Sequence, residues 1–206
     1  MDQIIGEGVV IIYDKYFFDA HKKGYSGVAI YTRYEPDNII TGLGLETADT
    51  EGRYIQIDLG KLSISSLYLP SGTSGDEIQN IKYEFLDYYL PILQEQANSK
   101  NRNYIVCGDW NIAHKNIDIK NWKSNQKSSG FLPEERAWLD TFIDDIGMVD
   151  AFRYHHPEKV QYTWWSQRAR AWDNNVGWRI DYHMISPSLK EQIASASVYR
   201  EQKFSD

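Results

Sequence analysis

Apolar and polar positions alternate along six stretches of the chain: 26–33, 53–59, 62–69, 103–108, 160–165 and 178–186. A period of two is that of half-buried strands, so each predicts a strand. Two stretches carry the helical period instead. One opens near Asp76 and places Ile78, Ile81, Phe85 and Leu86 on one face, with Pro91 inside its pattern, where it should kink or end the helix. The other is "LPEERAWLDTFIDDIG". Pro133 suits its first turn, Glu134 and Glu135 suit the positive end of its dipole, and Trp138, Leu139, Phe142, Ile143 and Ile146 form the buried stripe that Gly147 stops. Short turns between neighbouring strands predict antiparallel pairing, with helices between groups of strands. This is an α/β or α+β layered sandwich rather than a regular βαβ alternation.

Composition narrows the picture without changing it. At 206 residues, 42% of them hydrophobic, the chain is expected to form one domain over 1–206 with a substantial core. Its single cysteine, Cys107, lies in a strand-like run, which points to a reducing cytoplasm. The most apolar early run, 9–12, is far too short to cross a membrane, so no membrane partner is expected.

A net charge of −7 argues against coating nucleic acid by charge alone. The charge is uneven, however. Lys115, Lys120, Lys123 and Lys127 face only Asp118 over 112–128, and Arg168, Arg170 and Arg179 face only Asp173 over 164–180. Trp122 lies in the first segment and Trp164, Trp165, Trp172 and Trp178 in the second. Interleaved cations and aromatics suit a surface for phosphates and bases, but taken alone they read first as two solvated loops with packing aromatics.

Chemistry-bearing residues gather at strand ends. The apolar run Tyr104-Ile105-Val106-Cys107 breaks into Gly108-Asp109-Trp110-Asn111. Asp109 and Asn111 point to one side if the strand persists; an aspartate can take a proton from water or hold a hard cation, and a carboxamide can donate to a phosphoryl oxygen or ligate metal. The same residues also form turns. Asp181 in "GWRIDYHMIS" is flanked by apolar positions and reads as partly buried, in need of a partner. Tyr68 ends "SISSLYLPSG" and offers either packing or a phenol donor to phosphate. No glycine-rich phosphate loop, dinucleotide fingerprint or zinc-spaced Cys/His cluster occurs.

Taken in order, "GYSGVAIYTR", "SLYLPSG", "GDWNIAH", "SGFLPEERAWLD" and "YTWWSQRARAWDNNVGWRIDYHMIS" resemble the exonuclease III family of apurinic/apyrimidinic endonucleases over 24–206. The resemblance implies a DNase I-like fold of two packed mixed β-sheets flanked by helices. It implies Mg²⁺-dependent hydrolysis of the phosphodiester 5′ to an abasic site, with 3′-5′ exonuclease and 3′-phosphatase activity; Mn²⁺ is the alternative metal. By the same resemblance, Asp109 activates the attacking water and Asn111 stabilises the phosphoryl transition state beside the metal. Tyr68 contacts the scissile phosphate, Asp181 orients a histidine, and Asp206 lies near the metal. Trp164, Trp178 and Ile180 match the pocket for a flipped-out abasic sugar, the loop around Asn125 contacts the DNA backbone, and Arg179 is assigned to DNA binding. The implied partner is double-stranded DNA with abasic sites or blocked 3′ ends, bound by a monomer in the cytoplasm, at the bacterial nucleoid.

Two departures qualify the resemblance. The family opens with an Asn-bearing strand and a second strand ending in a metal-binding Glu, and closes with a His-bearing strand. This chain starts after the first two, with Glu7 in "IGEG" past the ligand position, and stops at Asp206. The expectation is therefore a domain with N-terminal and C-terminal strands missing, whose activity alone is severely impaired. The competing expectations are a DNA-binding remnant and another phosphoesterase of the same superfamily.

Overall fold

The computed structural model describes residues 13–200 and, as backbone, residues 3–5 and 9–11. The first half of the chain forms β1 (Gln3–Ile5), β2 (Val9–Ile11), β3 (Asp14–Asp19), β4 (Gly27–Thr32), β5 (Asn38–Thr41), α1 (Glu46–Asp49), β6 (Tyr54–Leu59), β7 (Leu62–Tyr68) and α2 (Asp76–Asn98). The second half forms β8 (Asn103–Asp109), α3 (Pro133–Asp140), β9 (Val149–Asp150), α4 (Ala151–His155), β10 (Trp164–Trp165), β11 (Gly177–Trp178) and β12 (Asp181–Ile185).

Six strands make the central sheet in the order β5-β6-β7-β8-β12-β9. The pair β7–β8 is parallel and the other pairs are antiparallel, so the sheet is mixed. A parallel pair needs a crossover, and α2 supplies it. On β6, Tyr54, Gln56 and Asp58 alternate with Ile55 and Ile57, and all five are buried. Burial on both faces means that both are covered. Tyr54 meets Tyr89 of α2 edge-on at 5.9 Å between ring centroids, while the β3–β4 hairpin lies against β6 and β7. Among the described residues this hairpin is the strand layer outside the central sheet that packs on it. The α/β sandwich flanked by helices is thus the architecture the pattern predicted.

The main core lies between the sheet and α2 with α3. Trp110 is its centre, fully buried and stacked on Phe142 at 5.2 Å, with Leu67, Leu69, Phe85, Leu93, Leu139 and Met184 around it.

Three expectations change in detail. Pro91 does not end α2, which continues to Asn98 because Tyr89 on one side of the proline and Leu93 on the other are both fully buried. The ring of Pro91 is on the exposed side, and tertiary packing outweighs its missing donor. The strand expected over 160–165 is only Trp164–Trp165, since Val160 is exposed and has no ladder partner. The strand expected over 178–186 divides in two. Arg179 N–H donates to Asp118 O and Ile180 N–H to the Thr163 hydroxyl, so the chain leaves β10 before it joins β8.

Candidate active site

Register brings the strand-end residues into one row. Tyr68 of β7 is paired with Asp109 of β8, and Asp109 with Asp181 of β12. Partners directly opposite one another share a face, so three residues 113 positions apart in sequence at the extremes stand side by side on adjacent strands.

Gly108 lets β8 reach its end this way. Its φ is +146°, and a Cβ there would lie 1.9 Å from Leu67 O. The chain then turns back on itself at Asn111, whose φ of +50° is one that Asn tolerates. Asn111 N–H donates to Asp109 Oδ1 at 2.7 Å, and Asn111 Nδ2 donates to Leu69 O at 2.8 Å and to Asp109 Oδ2 at 3.1 Å. A carbonyl and a carboxylate only accept, so these contacts fix which end of the carboxamide is nitrogen. Both amide protons are used within the protein. Of the two sequence-based uses for Asn111, the one that remains in this arrangement is its Oδ1 as a ligand.

Tyr68 is anchored by Arg53, whose guanidinium lies 4.8 Å from the centre of the phenol ring and donates to Tyr68 O at 3.0 Å. Glu51 holds that guanidinium in turn at 2.6 Å.

A cavity of about 760 Å³ opens over the Tyr68 and Asp109 positions of this row. Tyr68, Asp109 and Asn111 form its floor, the turn 71–75 and the loop 127–130 two of its sides, and Trp164, Trp178 and Ile180 an apolar wall. Trp164 and Trp178 are directly cross-strand, and Phe131, Ile119 and Trp122 pack behind them. Gly130 approaches so closely that a Cβ would sit 2.9 Å from Asn111 O.

The structure corrects two sequence assignments and leaves one outside its reach. Arg179, assigned to DNA binding, is not a surface cation: its side chain is buried, 2.7 Å from Asp118 and 2.8 Å from Asp150. Burial works to raise the Asp118 carboxyl, but Arg179 and Arg153 outweigh it and hold the group below its ordinary range. Asp118 is therefore committed to the interior and does not neutralise the lysines beside it. Asp181 is exposed rather than partly buried, and lines a neighbouring cavity of about 510 Å³ instead of the main one. His183, on the same face of β12, is exposed as well, so the alternation of the strand, rather than the apolar neighbours in sequence, decides its exposure. Asp206 lies outside the described residues.

Asn125 serves its own loop: Nδ2 donates to Asn121 O at 3.0 Å and Oδ1 accepts from the Ser128 hydroxyl at 3.1 Å. It shapes the segment from which Lys127 and Ser128 reach the cavity. Lys120, Lys123 and Lys127 are exposed, and no ion pair among the described residues involves them.

Beneath the floor is a charge that sequence reasoning missed. Lys82 of α2 and Glu135 of α3 form an ion pair at 2.6 Å, both fully buried. Lys82 falls on the stripe of Ile78, Phe85, Leu86 and Tyr89, and a lysine on an apolar stripe was the signal available.

The metal that the resemblance implies can be tested against these donors. Mg²⁺ characteristically takes one or two carboxylates and completes its shell with water and substrate phosphate. The Asp109 carboxylate, with the Asn111 carboxamide beside it, suits that economy, although among the described residues no group of three or more His, Cys, Asp or Glu could hold a metal ion.

The profile of the Endonuclease/Exonuclease/phosphatase family matches residues 4–206. The chain belongs to this family. It is 40% identical over 195 residues to an exodeoxyribonuclease of Bacillus subtilis, covering 94% of this chain and 76% of that protein. It is 35% identical to a DNA-(apurinic or apyrimidinic site) endonuclease of Dictyostelium discoideum, covering 91% of this chain and 52% of that one, so it spans about half of that relative's length. Among solved structures, an AP endonuclease from Archaeoglobus fulgidus superposes with a TM-score of 0.78 at 28% identity, covering 87% of this chain and 68% of that one. Family membership makes the chain an enzyme of the nuclease and phosphodiesterase class, related to DNA-repair nucleases.

Proposed function

We propose that the chain is a DNA-repair nuclease that hydrolyses the phosphodiester 5′ to an abasic site, and that the same site removes 3′ nucleotides and 3′ phosphates. The observation that carries this reading is the meeting of two unlike surfaces in one cavity. A polar floor of Tyr68, Asp109 and Asn111 adjoins an apolar wall of Trp164, Trp178 and Ile180. An abasic nucleotide has the same two halves, a charged phosphate and an apolar sugar with no base. An intact nucleotide brings a base that must also be accommodated, so shape alone can select.

In this reading Asp109 orients the attacking water and accepts its proton, and Tyr68 donates its phenol proton to a phosphoryl oxygen. Asn111 holds both carboxylate oxygens of Asp109 in place. Asp109 and Asn111 Oδ1, joined by Asp206, would hold Mg²⁺ or Mn²⁺, which when bound supplies positive charge to the phosphoryl oxygens. Lys120, Lys123 and Lys127 follow the duplex backbone beyond the cavity. The names of the Bacillus and Dictyostelium relatives support a DNA substrate.

The test is cleavage of an abasic duplex in Mg²⁺. Cleavage is expected to exceed that of the intact duplex, and Asp109→Ala should lower it by about 10³-fold. Salt-sensitive binding without cleavage would assign the chain to the DNA-binding remnant instead.

A further inference from the structure

Lys82 makes contacts that a purely structural ion pair does not require. Its Nζ donates to Asn111 O at 2.8 Å, as well as to Glu135 Oε1 at 2.6 Å. Asn111 is the residue with positive φ that turns its backbone N–H and side-chain amide onto the Asp109 carboxylate. The ammonium therefore grips the backbone of the residue that aims Asp109.

Glu135 extends the grip to the cavity sides. Its Oε2 accepts from Gly130 N–H at 2.7 Å and from Leu132 N–H at 3.0 Å, and its Oε1 from Gln79 Nε2 at 3.1 Å. Gln79 Oε1 lies 2.6 Å from the Ser129 hydroxyl, which is also 2.7 Å from Ser71 O. The floor and the sides at Ser71, Ser129 and Gly130 thus hang on one cluster around the Lys82–Glu135 pair. Hydrogen bonds to charged groups in a dry interior are the stiffest kind available.

We propose that Lys82 is a positioning residue: through Asn111 O it sets the orientation of Asp109, and through Glu135 it fixes the cavity sides in register with that carboxylate. The inference rests on the functional reading above for its kinetic consequences, and on the structure alone for its geometric ones.

The experiment uses the full 206-residue chain. The variants are Lys82→Met, Lys82→Arg, and the double change Lys82→Met with Glu135→Gln. The double variant removes both buried charges and keeps an acceptor for Gly130. Two readouts are taken: steady-state cleavage of an abasic duplex in Mg²⁺, and the ¹⁵N resonances of the Asn111 backbone and side-chain amides. Lys82→Met should lower kcat by about 100-fold with KM within about threefold, the cost of an ångström-scale misplacement. Lys82→Arg should recover most of the rate, since it still donates to both oxygens. The double variant should recover thermal stability but keep the low kcat and shifted Asn111 resonances.

A double variant with wild-type kcat and unshifted Asn111 resonances would overturn the proposal and reduce Lys82 to a structural partner of Glu135. Should Lys82→Met not fold, the Arg and double variants decide alone. Should the wild-type chain fail to cut abasic DNA, the functional reading falls, while the Asn111 resonances of the double variant still decide the positioning.

Discussion

Asp109 is held by a residue only two positions away, and that arrangement depends on a glycine on its other side. The Gly108 backbone passes so close to Leu67 that a methyl group there would meet Leu67 O at 1.9 Å. Its φ of +146° is one that L side chains rarely adopt. Gly108→Ala is therefore expected to cost about 1–3 kcal/mol from backbone strain alone, with the clash in addition. Urea denaturation should show this as a lowered midpoint at unchanged slope, and the displaced Asp109 should lower cleavage more than binding. An unchanged midpoint would mean that β8 approaches β7 less closely than described. At this scale, the site was legible where its chemistry is local. Gly108, Asp109 and Asn111 announce themselves as a broken strand end. Arg179 and Asp181 did not yield so readily. Counting charges along a segment sets Arg179 against Asp173, whereas its partners Asp118 and Asp150 are brought in by the fold.

The short pair β10–β11 is the element that most needs its supports. Two residues on each strand carry Trp164 and Trp178, with little ladder to fix them. Arg179, next in the chain, supplies the anchor: its N–H donates to Asp118 O at 2.7 Å and its side chain to Asp118 Oδ1 at 2.7 Å. Removing one member of a buried ionic cluster strands the others, so Arg179→Met is expected to cost about 3–5 kcal/mol. The same variant separates the buried role from the DNA-binding role that sequence assigned. If Arg179 neutralised a phosphate, its removal would flatten the dependence of log K on log salt by about 0.9. Binding to abasic DNA should instead weaken at unchanged slope, because the apolar wall loosens while the lysines still reach the phosphates. The alternation that predicted one strand over 178–186 could not reveal this break, since pattern reports which side a residue faces and not which partner it pairs with. Pro91 misled for a related reason: local chemistry argued for a stop, and burial of Tyr89 and Leu93 overrode it.

For the whole molecule, the acidic limb of stability should follow His114 and, at lower pH, the paired carboxylates Asp58, Asp140 and Asp118, of which Asp118 is the most enclosed. His114 is buried, and burial lowers its affinity for a proton despite the Asp140 carboxylate 2.7 Å from Nε2. The unfolded chain takes up that proton near the ordinary value of 6.5, so stability should begin to fall as pH drops below about 6.5, until His114 is protonated in the folded state too. Asp118, held below its ordinary 3.8 by Arg179 and Arg153 against the opposing effect of burial, keeps its contribution above that value and loses it as pH falls further. Thermal unfolding against pH should therefore show two declines, and His114→Asn should remove the upper one alone. The layered architecture was readable from periods of two and of 3.6, because covering both faces of a sheet leaves those signatures. The site's width was not, because the row from Tyr68 through Asp109 to Asp181 exists only once register is fixed.

The proposed function makes Tyr68, Asp109 and Asn111, with the wall of Trp164, Trp178 and Ile180, the groups that together select and cut abasic DNA. It is tested most directly by mapping the ends produced from a duplex with one abasic site in Mg²⁺. A 3′ hydroxyl and a 5′ deoxyribose phosphate are expected at that site, with the cut lost in Asp109→Ala. Cuts spread along intact duplex at an equal rate, or ends unaffected by Asp109→Ala, would contradict it.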